Sequence, residues 1–267
     1  MSTNRSKRKV EDEDQYSNPL SRVPKAPCHV DSTKDLPYVP LKPLPCKSFC
    51  MYIVGKPGSG KTNLWLSMMM SKKPRYFRKF FDKTMLVSGS MDTLPKQAIK
   101  GKYAVPESQQ FREVNDEIVD GMLKELRSGD NGNNLLILDD VIKDITNSKS
   151  LSHVFLNRRH ITHDCDKEGS SGLAIMIISQ VFNLLPLQFR KSCDHVILFK
   201  TENRSELKWI IDELMFDVEP NIAKRMLAKA WSKKYGFILI KLGMPTSEKY
   251  YNKFDSMDLS KYDNQED

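Results

Sequence analysis

The sequence predicts a three-layer α/β/α domain built on a mainly parallel central sheet, and three observations predict it. Short aliphatic and β-branched runs alternate with amphipathic stretches through the middle of the chain. Several of those runs are continuously apolar, the pattern of strands covered on both faces. One of them leads straight into a glycine-rich turn and then a helical stretch.

In chain order, the first 47 residues carry nine Lys or Arg and six Asp or Glu, are crowded with proline between Pro19 and Pro45, and show no helical or strand period. They read as an extended, disordered arm. Its cluster Arg5, Lys7, Arg8 and Lys9, followed by four acidic residues, reads first as a solvated tail and second as a nuclear-import or nucleic-acid patch. Strands are expected at 49–54, 84–88, 135–138, 173–179, 195–199 and 237–242, each an apolar run bounded by polar or turn residues. Helices are expected between them at 62–70, 107–127, 149–159, 205–214 and 222–231. The folded domain therefore spans 48–253, and 254–267 reads as a loose acidic tail, with five acidic residues against Lys261.

Composition limits the function classes. With 39% apolar and 28% charged residues the chain can bury a core. No apolar run approaches the roughly 18 residues of a spanning helix, and the N-terminus lacks the apolar stretch of a secretory signal, so membrane insertion is not expected and the protein stays on the cytosolic side. Five cysteines in a chain of this size disfavour a disulfide scaffold.

Gly55, Lys56, Pro57, Gly58, Ser59, Gly60, Lys61 and Thr62 fit G-x-x-x-x-G-K-[ST] between a buried strand and a helix, with Asn63 continuing into the first turn. The glycines let successive backbone N–H groups curl inward on a phosphate chain, and the helix N-terminus adds partial positive charge. Lys61 is placed to reach the β- and γ-phosphates of ATP, and the Thr62 hydroxyl to bind Mg²⁺. The partner of such a loop is an acidic residue ending another buried strand, and the run at 135–138 ends in Asp139 and Asp140. Asp139 is expected in the Mg²⁺ shell and Asp140 to polarise the attacking water. Gln180, ending the third buried run, is expected to sense the γ-phosphate or the water; the alternative is a polar strand end serving local backbone groups.

The formal net charge is +8, and much of the surplus is concentrated. Residues 72–102 hold nine Lys or Arg against Asp82 and Asp92, and residues 222–241 hold six basic groups and no acid. Both blocks suit a phosphate backbone. The interleaved Tyr76, Phe77, Phe80, Phe81, Trp231 and Tyr235 read as core rather than as base-stacking platforms. Arg158, Arg159 and Arg190 follow the later elements of the site and are candidates for an arginine offered across a subunit interface, although each alone reads as a surface or salt-bridge residue. Two groups, Cys28, His29, Cys46 with Cys50, and His153, His160, His163 with Cys165, hold zinc-ligating residue types but lack paired spacing.

Taken together, residues 51–62, residues 135–141, the Asn157-Arg158-Arg159-His160 stretch, and Ser179-Gln180 with Pro186 and Arg190 resemble the DNA-packaging ATPases of poxviruses, other large cytoplasmic DNA viruses and virophages, within the FtsK/HerA group of P-loop ATPases. The resemblance covers roughly residues 49–242. It implies a P-loop NTPase fold of the additional-strand, RecA/FtsK-like type and a homo-oligomeric ring, pentameric or hexameric, that hydrolyses ATP with Mg²⁺ to move double-stranded DNA into a preformed capsid. It carries over Lys61, Thr62, Asp139, Asp140 and Gln180 in the roles above, and Arg159 as the trans-acting arginine. It further implies contact with capsid vertex proteins and work at assembly sites in the host cytoplasm, with association with the virion or a nuclear location as further expectations. Two other readings compete: a small-molecule or nucleotide kinase using the same loop, and a nucleotide-switched adaptor that binds ATP without turnover.

Overall fold

A computed structural model of the chain describes residues 36–101, 104–127, 132–162 and 172–263. The strands are β1 (Cys50–Val54), β2 (Lys83–Ser88), β3 (Gln110–Phe111), β4 (Asn134–Asp139), β5 (Leu173–Ser179), β6 (His195–Phe199), β7 (Phe237–Lys241), β8 (Tyr250–Asn252) and β9 (Asp255–Ser256). The helices are α1 (Lys61–Met70), α2 (Lys96–Ile99), α3 (Asp116–Arg127), α4 (Ile142–Asn147), α5 (Lys149–Asn157), α6 (Leu187–Arg190), α7 (Arg204–Leu214), α8 (Pro220–Ala230) and α9 (Ser260–Asp263). All nine strands form one sheet in the order β3-β2-β4-β5-β1-β6-β7-β8-β9. The first six are parallel, and β7, β8 and β9 close the far side as an antiparallel meander.

Two cores cover the two faces, which is why the central strands read as continuous apolar runs. On one face α1 lays Trp65, Leu66 and Met68 against Met51 and Ile53, joined by Phe77 and Phe80. On the other, α3, α5, α7 and α8 bury residues such as Met122, Phe155, Ile210 and Met226 against Tyr52, Leu136 and Ile175. This is the expected α/β/α sandwich. Among the described residues no helix is long and apolar enough to cross a membrane.

The differences from expectation have local causes. The helix expected over 107–127 begins only at α3, because Gln110 and Phe111 pair with Leu86 and Val87 at the sheet edge, and the Asn115 side chain then caps the N–H of Ile118. Part of the expected arm is folded: the Tyr38 hydroxyl donates to the carbonyls of Tyr76 and Arg78, and Leu44 is buried. The expected tail likewise begins inside the domain, where Met257 is buried and Tyr262 packs on the core. Phe77 and Phe80 are core, as expected, with Phe77 stacked on Phe49 at 5.7 Å.

Candidate active site

β1 delivers the chain to a loop at the carboxyl end of the sheet, where the Gly55 N–H donates to the Ser179 carbonyl at 3.1 Å. Gly55 has no room for a side chain, since a Cβ there would lie 2.6 Å from Ser59 Oγ and 2.7 Å from Phe199 Cβ. Gly58 and Gly60 turn the loop with φ of 75° and 103°, values that glycine adopts without strain. α1 then starts at Lys61 with no acidic residue in its first turn, so nothing on the helix itself offsets the positive end of its dipole. Lys61 Nζ donates to the carbonyls of Gly55 (2.5 Å) and Lys56 (3.3 Å). Burial lowers the lysine's pKa, opposed by the charges of Asp140 and Asp139. Ser59 Oγ, buried within the loop, has no hydrogen-bond partner. An orphaned hydroxyl, a lysine on the loop's own carbonyls and a helix N-terminus form a donor set that fits a phosphate chain.

The acids arrive from β4, two strands away. Asp139 pairs in register with Ser88 on β2 and Ile178 on β5 and is 3% exposed. Burial, reinforced by Asp140, pushes its carboxyl up to about 6, against the pull of the Ser88 hydroxyl (3.3 Å) and of Lys61. A desolvated carboxylate beside a second carboxylate fits a hard divalent cation, and Thr62 offers a further oxygen at the start of α1. Asp140 leaves the strand with φ of 55°, its N–H held by the Ile178 carbonyl at 3.1 Å, and its side chain is exposed. Gln180, just past β5, donates from Nε2 to Asp140 Oδ2 at 3.2 Å. The structure thus gathers Lys61, Asp139, Asp140 and Gln180 at one end of three adjacent strands, β4, β5 and β1.

The arginines divide. Arg158 is buried and ion-paired with Asp194 at 2.8 Å, and its Nε donates to the Ser48 carbonyl. Arg190 forks onto Glu213 with two 2.8 Å bonds and lies over the Phe182 ring. Both therefore serve the fold. Arg159 is exposed and lines a groove with Lys47, Phe49, Asp194 and His195, where β1 and β6 begin. That is the opposite end of β1 from Gly55, so Arg159 is remote from its own chain's loop. Among the described residues no cluster of His, Cys, Asp and Glu could hold a metal ion, and Cys28, His29, His163 and Cys165 lie outside them.

Sequence reasoning placed Ser59 in the phosphate loop but did not single out Ser88. Ser88 had the same signal as Asp139 and Gln180, a polar residue ending an apolar run. Tyr235 was expected in the core with the other aromatics of the basic blocks, whereas the structure leaves it half exposed beside the loop, 3.1 Å from where a Cβ of Gly60 would sit.

A family model described as Poxvirus A32 protein matches residues 41–267. No curated protein sequence matches the chain. Among solved structures the fold resembles the genome packaging NTPase B204 from Sulfolobus turreted icosahedral virus 2. Its complex with AMP aligns at a TM-score of 0.52 and 18% identity over 78% of this chain and 98% of that one. Its complex with AMPPCP aligns at 0.52 and 16% over 76% and 96%. Its complex with sulfate aligns at 0.51 and 18% over 76% and 94%.

Proposed function

The chain belongs to the poxvirus A32 protein family, and on that premise we propose that it is a motor that hydrolyses ATP to drive double-stranded DNA into a preformed capsid. The observation that carries the reading is the strand order β4-β5-β1, which sets a phosphate loop, a pair of acids and an amide at one rim of the sheet. The relatives of the same fold, described as a viral genome packaging NTPase crystallised with nucleotides, support it.

The backbone N–H groups that follow Pro57, from Gly58 to Asn63, hold the phosphates, and Lys61 exchanges its loop carbonyls for phosphate oxygens. Thr62 and Asp139 would hold Mg²⁺, which when bound offsets charge on the β- and γ-phosphates. Asp140, exposed and oriented by Gln180, accepts the proton of the attacking water, and the same hydrogen bond gives Gln180 a means of registering that the phosphate has left. Water is the acceptor in this reading; an organic hydroxyl in its place would make the protein a kinase, and the product of the reaction separates the two. Arg159, facing away from its own site, acts on the nucleotide of a neighbouring subunit in a ring. The basic blocks supply contacts to duplex DNA, other surfaces meet the capsid vertex, and the motor works at assembly sites in the host cytoplasm.

Phosphate release by the purified full-length chain, with and without duplex DNA, tests this. DNA should accelerate release, and Asp140→Asn should lower it a hundredfold or more, roughly the contribution of a general base, with ATP binding retained. Phosphoryl transfer to a nucleoside or nucleotide with no effect of DNA would refute it.

A further inference from the structure

The topology fixes which way a nucleotide must lie. Asp140 and Gln180 come from β4 and β5, on one side of β1, so the terminal phosphate has to face that side for water to reach it. A triphosphate laid along the loop then carries its nucleoside towards the other side, where β6 and β7 follow β1 in the sheet. In that direction the connection between α8 and β7 raises Tyr235 beside the loop. Its Cδ1 would be 3.1 Å and its Cγ 3.6 Å from a Cβ at Gly60, the residue immediately before α1. The residue is 52% exposed, and Lys234 Nζ lies 5.0 Å from the ring centroid. Its backbone has φ of 61°, a left-handed conformation that costs about 1 kcal/mol or more in a residue with a side chain. A large aromatic held in a disfavoured conformation with half its surface in water contributes little to the core. It does present a flat apolar face where the nucleoside leaves the loop.

We propose that Tyr235 is the platform on which the base of the bound nucleotide stacks. The inference rests on the reading of Gly55 to Thr62 as an ATP site and adds to it the residue that distinguishes a nucleotide from bare polyphosphate. A ring face carries no donor and acceptor code, so Tyr235 supplies affinity for a base without choosing among bases. Lys234 Nζ lies over one face of the ring, so the base stacks on the other face or displaces the lysine.

The test uses the full-length chain carrying Asp140→Asn, so that ATP is not consumed, and calorimetric titration with two magnesium-loaded probes: ATP, and inorganic tripolyphosphate, which has the phosphates but no nucleoside. Tyr235→Ala and Tyr235→Leu should each weaken ATP about tenfold, the lower end of what base stacking contributes. Tripolyphosphate should bind as in the parent, and Tyr235→Phe should stay within about twofold for both probes. ATP binding unchanged in Tyr235→Ala would overturn the proposal and move the base elsewhere, for instance to the cleft of about 270 Å³ lined by Lys56, Lys200 and Glu202. Equal loss of both probes would also overturn it, because the ring would then be supporting the loop. A parent that binds neither probe, or a Lys61→Ala variant that binds both as tightly as the parent, would bring down the ATP-site reading itself.

Discussion

Replacing Asp139 by Asn should abolish hydrolysis and yet make the protein more stable when no nucleotide is present. Asp139 is 3% exposed, and burial together with Asp140 lifts its carboxyl from an ordinary 3.8 to about 6. A folded-state pKa above the unfolded one means the native state holds the proton more tightly than the unfolded chain does. Stability from this group is therefore greatest at low pH and is lost as the pH rises from about 4 through about 6. Once the group is ionised in both states, the loss amounts to about 3 kcal/mol. Asparagine has nearly the same shape, can still accept from the Ser88 hydroxyl and does not ionise, so it escapes that loss. Urea unfolding at pH 8 should show Asp139→Asn more stable by up to about 3 kcal/mol, a midpoint shift of about 1 M. The gap should fall below about 1 kcal/mol by pH 4, where both proteins carry a neutral side chain. Titrating groups that do not feel the Asp139 charge drop out of the difference, while Asp140 and Lys61, which are coupled to it, belong to the same pH-dependent gap. A variant no more stable than the parent at pH 8, or a gap that does not change with pH, would refute the claim that Asp139 is held against its own solvation.

Three further outcomes are expected. Reversing Lys72, Lys73 and Arg75 to Glu in the exposed turn after α1 should leave basal phosphate release intact and weaken its stimulation by DNA; an unchanged ratio of stimulated to basal rate would remove this turn from the DNA path. Arg158→Met should destabilise the fold by about 3 kcal/mol by leaving Asp194 without its ion pair, while Arg159→Met should change stability by no more than about 0.5 kcal/mol. If Arg159 acts in trans, mixing Arg159→Met subunits with Lys61→Ala subunits should release phosphate faster than the two do separately, and a merely additive rate would refute that role.

The legible parts of the chain were those in which local pattern and tertiary environment agree. The strands at 173–179 and 195–199 have the same ends in the structure as in the sequence reading, because both are buried on both faces and bounded by polar residues. The loop, Asp139, Asp140 and Gln180 were legible because each sits where an apolar run stops. β3 and β9 are two residues long and β8 three, too short for any period to register, and they exist only by pairing with a neighbour already in place. Arg158 and Arg159 are adjacent and chemically identical in sequence. Only the end of α5 at Asn157 decides that the first turns inward to Asp194 while the second faces solvent. The position of Tyr235, which was read as core, was illegible for a similar reason, since its contact with Gly60 joins segments some 175 residues apart and no spacing within either segment announces it.

The two charged groups at the heart of the site are perturbed in opposite directions by one cause. Burial lowers the pKa of Lys61 and raises that of Asp139, so in each case the protein disfavours the charged form, and their mutual attraction only partly offsets this. Lys61 meets its hydrogen-bonding needs with two neutral carbonyls, and Asp139 with a single hydroxyl at 3.3 Å. Neither arrangement matches what a phosphate oxygen offers an ammonium group or a divalent cation offers a carboxylate. On the proposed reading, polyphosphate and a divalent cation would bring opposite charges to the places where the protein has desolvated its own. Substrate binding should therefore favour the ionised forms of both groups, and a ligand that brings phosphate and cation together should recover the stability that burial withholds at Asp139.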